Sequence, residues 1–158
     1  MIYTGRCSAN VPPKRRVWKI SKKAFANMSE GAMRAIDTNV LVRMIVQDDA
    51  RQAASAKLFV ESGAWVSILA LAEATWVLSS VYELSAHELA EAIGRLLDHR
   101  DLVLQESEAV QAALTSFRER PSLGFSDCLM LHLARRAGHS PLGRFDRNLA
   151  RVDGARKI

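Results

Sequence analysis

Four acidic residues, Asp37, Glu73, Asp127 and Asp146, stand where predicted helices or strands begin or end. Carboxylates from separate elements can hold one or two hard divalent cations, because Mg²⁺ and Mn²⁺ prefer carboxylate and water oxygens. Without a metal, clustered carboxylates would repel one another. We therefore expect the four to meet at one edge of the fold and to hold Mg²⁺ or Mn²⁺, ions that assist phosphodiester hydrolysis.

The first acid lies in the segment Ala35–Val42, where a short apolar run is followed by Asp37, Thr38 and Asn39 and then by a second apolar run. This pattern predicts a strand, a turn and a helix, with Thr38 or Asn39 capping the helix. Asp37 would then lie at the carboxyl end of the strand. Ligands bind at that edge in open α/β sheets.

Glu73 is the acid that is hardest to explain structurally. Its spacing predicts that it shares one helix face with Trp76 and Val77, and a glutamate on an apolar face needs a partner. No Lys or Arg lies three or four residues from it. Each of the three aspartates could simply be a helix-start or turn residue. They indicate a metal site only when they are considered together with Glu73.

Strand patterns alternate with one or two helix patterns along the chain. Strands are predicted before Asp37, at Trp65–Ile68, at Leu102–Leu104 and, weakly, at Pro141–Asp146. Strands separated by helices predict an α/β fold, a parallel sheet flanked by helices on both faces. Helix boundaries are predicted at the capping box of Ser85 and Glu88, at Ser107, at Phe125 and at Gly138.

Length and composition fit one globular domain. The chain has 158 residues, of which 49% are hydrophobic, and no stretch approaches the roughly 20 apolar residues of a membrane-spanning helix. Its first residues lack the order of a signal peptide. The two cysteines, Cys7 and Cys128, show no disulfide or zinc spacing. We expect a cytoplasmic protein with reduced thiols and no membrane association.

The net charge of +5 belongs to the first 32 residues, which contain seven basic residues and one acidic residue. We interpret residues 1–32 as a basic N-terminal extension without a core of its own, disordered or an artefact of the assigned start. Residues 33–158 form the predicted domain. Translation from Met33 is favoured over a functional basic arm that contacts RNA phosphates.

The ordered segments Ile36–Leu41, Leu71–Glu73, Phe125–Leu129 and Arg144–Arg151 resemble the four signature segments of PIN-domain ribonucleases. The similarity covers essentially all of residues 33–158. Within the family, the sequence most resembles the VapC toxins of bacterial type II toxin-antitoxin pairs. It implies a PIN-like three-layer sandwich with Mg²⁺- or Mn²⁺-dependent endoribonuclease activity on RNA. It also implies a homodimer that is held inactive by a cognate VapB-type antitoxin.

The resemblance carries over residue by residue. Asp37, Glu73, Asp127 and Asp146 match the acidic quartet that holds the metal, and Thr38 and Asn39 match the polar neighbours that place the first carboxylate or a metal-bound water. The family commonly has Thr or Ser two residues before the fourth acid, where this chain has Arg144. A guanidinium there could pair with Asp146 and weaken metal affinity, or hold a substrate phosphate.

Other residues have two interpretations each. Trp65 and Trp76 are predicted as core or dimer-interface residues, and Cys128 as a small core residue rather than a nucleophile. Late arginines could form an RNA-binding rim around the acids or an ordinary solvated face. The arginines proposed for that rim are Arg135, Arg144 and Arg147.

Three other functions are alternatives to the nuclease. A haloacid-dehalogenase-like phosphatase would need an acid at Asn39, and a response-regulator receiver would need a late lysine that neither Lys57 nor Lys157 supplies. A non-catalytic PIN module that binds RNA or a partner protein is the alternative of a different class. Four retained acids argue against it, since a surface for anionic RNA gains nothing from clustered carboxylates.

Overall fold

A computed structural model describes residues 33–145 and 152–158. Short strands alternate with α-helices along these two ranges. The elements are β1 (Arg34–Ile36), α1 (Thr38–Val46), α2 (Ala50–Val60), β2 (Ala64–Val66), α3 (Ile68–Ser80), α4 (Ala86–Leu97), β3 (Leu102–Leu104), α5 (Ser107–Glu119), a 3-10 helix (Pro121–Leu123), α6 (Phe125–Arg136), β4 (Leu142–Arg144) and β5 (Ala155–Lys157).

Strands β1, β2 and β3 form a parallel sheet in that order, with Ile36, Val66 and Leu104 in register across it. Parallel neighbours require long crossovers, which α1 to α4 supply. Strands β4 and β5 form a second, two-stranded parallel sheet. The predicted fold class, an α/β fold with a parallel sheet and flanking helices, is confirmed. The strand β5 was not predicted from the sequence.

The core lies between this sheet and the helices. Fully buried side chains include Leu41 of α1, Leu71 of α3, Ile93 of α4 and Leu114 of α5. On α1, α4 and α5 they belong to an apolar stripe at helical spacing, whereas α3 is apolar over most of its length. At the end of the domain where α5 meets α6, Phe117 and Phe125 pack edge to face with ring centroids 6.0 Å apart.

Some predicted helix boundaries hold, and the one at Ser107 is wrong. Ser85 and Glu88 form the predicted capping box of α4, and Gly138 follows the end of α6 with a φ of 79°. Ser107 does not cap α5, because the preceding Glu106 adopts a left-handed conformation with a φ of 53° and takes the N-cap position. Ser107 is therefore the first residue inside the helix.

Two predictions around β2 and α3 need correction. The strand ends at Val66 and not at Ile68, because Ser67 leaves the strand to cap α3 by accepting a hydrogen bond from the Ala70 amide at 3.0 Å. Trp76 is 61% exposed, so its assignment to the core is wrong, whereas Trp65 is half-buried. A dimer-interface role for either residue stays a prediction.

Several sequence predictions lie outside the described residues. They concern the basic extension 1–32 and the residues Asp146 and Arg147. In the ranges that the structure describes, no helix has both the length and the apolar character that crossing a bilayer would demand.

Candidate active site

The carboxyl end of β1 passes directly into α1 at Asp37. This residue has extended backbone angles, and its Oδ1 accepts a hydrogen bond from the Val40 amide at 3.0 Å, so Asp37 is the N-cap. The prediction that Thr38 or Asn39 caps the helix is wrong, since these are its first two residues. Asp37 lies exposed at the strand end, as predicted, and its charge also complements the positive end of the helix.

Thr38 connects this strand end to α3. Its Oγ1 donates a hydrogen bond to Oε2 of Glu73 at 2.5 Å, across 35 residues of sequence. Hydrogen bonds to an ionised carboxylate are short and comparatively strong. The contact brings two of the predicted site segments together, and it gives Glu73 the partner that the sequence lacked nearby.

The helix face that carries Glu73 is the outer face of α3. Glu73 and Trp76 are exposed, whereas Leu71, Ala74 and Leu78 on the opposite side are buried. Glu73 thus shares a face with Trp76, as the spacing predicts, and that face is directed outward. Nearly the whole of α3 is apolar in sequence, so its periodicity did not distinguish the two faces.

The third acid, Asp127, lies in the first turn of α6 and pairs with an arginine. Arg144 at the end of β4 donates from Nη1 to Asp127 Oδ1 at 2.5 Å, and the two side chains are 19% and 27% exposed. The sequence singled out Arg144 as a departure from the family pattern but did not indicate Asp127 as its partner. Asp146, the partner that the sequence suggests for Arg144, lies outside the described residues.

A cavity of about 320 Å³ adjoins this ion pair. Trp76 from the outer face of α3 lines it together with Phe117, Phe125, Ser126 and Asp127. The cavity therefore brings the helix that carries Glu73 close to the start of α6. Its walls are mostly apolar, with the polar Ser126 and Asp127 on the α6 side.

The predicted RNA-binding arginines have acidic neighbours where they are described. Arg135 donates from Nη2 to Asp153 Oδ2 at 3.0 Å and also to the Asp153 carbonyl oxygen. Arg144 pairs with Asp127, and Arg147 lies outside the described residues. The positive charges of Arg135 and Arg144 are thus locally balanced in the absence of RNA.

Cys128 does not belong to the chemistry of the site. It is fully buried, and burial followed by the charge of Asp127 raises the pKa of its thiol to about 11. A thiol with this pKa stays protonated at neutral pH and is a poor nucleophile. The prediction that Cys128 is a small core residue is confirmed.

The donor set fits a hard divalent cation in kind, since Asp37, Glu73 and Asp127 all supply carboxylate oxygens. In the part of the chain that the structure describes, no three acidic, histidine or cysteine side chains lie close enough to hold one metal ion. Of the predicted ligands, Glu73 is linked through Thr38 to the strand end that carries Asp37. Asp127 is instead paired with Arg144.

Comparison with known proteins identifies the family. A search of curated proteins and a search of solved structures each returned no match. Residues 35–155 match the family model described as the PIN domain, a range that spans most of the chain and includes every residue of the site discussed above. The chain therefore belongs to the PIN domain family.

Proposed function

We propose that this protein is a Mg²⁺- or Mn²⁺-dependent endoribonuclease and the VapC-type toxin of a type II toxin-antitoxin pair. PIN domains are generally metal-dependent nucleases, which supports the reaction class. The substrate would be RNA, hydrolysed at its phosphodiester bonds.

The observation that carries the proposal is the 2.5 Å hydrogen bond from Thr38 to Glu73. It holds the second acid beside the strand end that presents the first, Asp37. Neither side chain contributes to the core, since Glu73 is exposed and Thr38 is half-buried. A hydroxyl that fixes an exposed glutamate in one position contributes little to packing, but it orients the carboxylate as a binding site requires.

Each residue has a proposed role. Asp37, Glu73, Asp127 and Asp146 would hold Mg²⁺ or Mn²⁺, with Thr38 and Asn39 as the polar neighbours of the first carboxylate. A divalent ion bound there would supply an activated water and charge stabilisation for the leaving oxygen. Thr38 keeps the Glu73 carboxylate oriented, and the N-cap bond from the Val40 amide orients the Asp37 carboxylate.

The partners belong to the same proposal. RNA would be contacted through phosphates by Arg135, Arg144 and Arg147, because guanidinium groups match phosphate geometry. The protein would form a homodimer, and a cognate VapB-type antitoxin would keep it inactive. The protein would be cytoplasmic, where its RNA substrate is found.

A pair of matched substitutions tests the reaction. Asp37→Asn removes a carboxylate but keeps a good N-cap, so we expect cleavage of a labelled single-stranded RNA in Mn²⁺ to disappear without loss of thermal stability. Asp49→Asn makes the same change at the N-cap of α2, where Asp49 Oδ1 accepts from the Arg51 and Gln52 amides. We expect this control to cleave like the wild type.

Two results would contradict the proposal. One is normal cleavage by Asp37→Asn, and the other is wild-type cleavage that persists after chelation of all divalent ions. Equal loss of cleavage in Asp49→Asn would show that the N-cap, and not the site carboxylate, explains the effect.

A non-catalytic PIN module that binds RNA or a protein is the second candidate. The ion pair between Arg144 and Asp127 favours it, because one acid of the proposed quartet is already neutralised. This alternative predicts RNA binding, measured by fluorescence anisotropy, that does not depend on Mn²⁺ and is not followed by cleavage.

A further inference from the structure

We infer that Arg144 is a built-in competitor for the Asp127 carboxylate, which sets the affinity of this corner of the site for divalent cations. The inference rests on the proposed function, since it assumes that Asp127 is a metal ligand. It assigns Arg144 an electrostatic role that is distinct from phosphate binding.

The strand pairing of β4 holds Arg144 in place. The Arg144 carbonyl accepts a hydrogen bond from the Ile158 amide at 3.0 Å, and the Leu142 amide donates to the Gly154 carbonyl at 2.9 Å. Arg144 is in register with Lys157 of β5. The side chain therefore reaches Asp127 from a strand whose backbone is hydrogen-bonded to a neighbouring segment.

Asp127 receives positive potential from two sources. One is the Arg144 guanidinium, and the other is the N-terminus of α6, which has no side-chain cap at Gly124 and carries Asp127 in its first turn. Both side chains are mostly shielded from solvent, at 19% and 27% exposed, so salt screens their attraction less than it screens a surface pair.

A guanidinium group cannot itself ligate a cation. It has five N–H donors and no acceptor, and it stays positively charged at any physiological pH. A divalent ion beside Asp127 would therefore face either a repulsive charge or a carboxylate that must first leave Arg144. Both effects lower the affinity of the site for the ion.

Arg144 could also have the opposite effect and strengthen metal binding. Arg144 donates to Oδ1 of Asp127, so it could instead orient the carboxylate and present the other oxygen to the metal. Removing the arginine would then weaken metal binding. The sign of the change in affinity separates the two roles.

Calorimetric titration of the full chain with Mn²⁺ measures that sign. We expect Arg144→Ser to bind Mn²⁺ about tenfold more tightly than the wild type, as removal of a nearby positive charge would produce. Arg156→Ser is the matched control, because Arg156 is an exposed arginine on β5 in register with Gly143, the neighbour of Arg144. We expect its Mn²⁺ affinity to equal that of the wild type.

Equal or weaker Mn²⁺ binding by Arg144→Ser, with the wild type binding and cleaving, would overturn this inference and leave the proposed function intact. A tenfold gain shared by Arg156→Ser would also overturn it, because a general charge effect would then suffice. Absence of Mn²⁺ binding in the wild type and in folded Arg144→Ser would overturn both this inference and the metal dependence of the proposed function.

A measurement on the wild type does not depend on whether Arg144→Ser folds. Guanidinium NMR signals of Arg144, assigned by comparison with Arg144→Lys, should shift as Mg²⁺ is added, because the ion either displaces Arg144 from Asp127 or lies close to its guanidinium. Arg43, whose Nε donates to Gln52 Oε1 at 2.8 Å in α2, serves as the internal reference and should not shift. An Arg144 signal that stays fixed at saturating Mg²⁺ would overturn the inference.

Discussion

The Thr38 hydroxyl donates to the Glu73 carboxylate at 2.5 Å and so fastens the first turn of α1 to the outer face of α3. Thr38 follows the N-cap Asp37, which ends the first strand, so the bond places an exposed glutamate beside a strand-end aspartate. The geometry of the proposed site therefore depends on a contact between elements that are distant in sequence.

Replacing Thr38 tests whether this contact positions Glu73. Thr38→Val keeps the shape of the side chain and removes the donor, so we expect RNA cleavage to fall about tenfold or more while thermal stability falls by about 1 kcal/mol. Thr38→Ser retains the hydroxyl and should restore cleavage. Normal cleavage by Thr38→Val would show that Glu73 needs no such partner.

At acid pH the protein should lose the stability that the interactions of the Asp48 carboxylate with Arg43 and Tyr82 provide. The hydrogen bond from Arg43, and after it the one from Tyr82, hold the pKa of Asp48 below its ordinary value. Because the folded pKa is the lower one, this contribution is complete above the unfolded pKa of about 3.9 and is lost as the pH falls through the folded value. Asp48→Asn should therefore be less stable than the wild type at neutral pH, with the difference closing in acid.

Melting temperatures over an acid series check this pH dependence. The exposed Glu61 provides the control, since Glu61→Gln also removes one carboxylate and should keep the neutral-pH stability of the wild type. Parallel profiles for the wild type and Asp48→Asn would contradict the assigned role of Asp48.

Cys128 should resist thiol reagents in the folded protein. Its pKa of about 11 and its full burial both suppress the thiolate. In a Cys7→Ser background, we expect alkylation in native buffer to be at least about a hundredfold slower than in denaturant. Rapid labelling of the native protein would mean that α6 opens readily or that the thiol is accessible.

Gly154 is expected to tolerate a side chain less well than Gly138 does. Its φ is 79°, and an added Cβ would overlap the guanidinium of Arg135. Gly138 has the same φ with nothing within 4 Å of an added Cβ, so Gly138→Ala is the matched control for backbone strain alone. We expect Gly154→Ala to lower the free energy of unfolding by about 1 kcal/mol more than Gly138→Ala does. Equal losses would show that Arg135 moves aside freely.

Local sequence signals predicted the elements that depend on local physics. The capping box of Ser85 and Glu88, the start of α6 at Phe125 and the buried Cys128 follow from neighbouring residues or from an apolar pattern, and the structure confirms them. The N-cap at Asp37 was misplaced by one or two residues. Asp, Thr and Asn are all good caps, so residue type alone does not choose among three in a row.

The sequence by itself determined the alternation of strands and helices, the strand-end position of Asp37 and the residue types of a carboxylate site, because periodicity and side-chain chemistry are local properties. The tertiary structure alone decided that Glu73 faces outward to meet Thr38 and that Arg144 takes Asp127 as its partner. Those contacts depend on how α1, α3, α6 and β4 pack, since pairs separated by 35 and 17 residues leave no mark in local spacing.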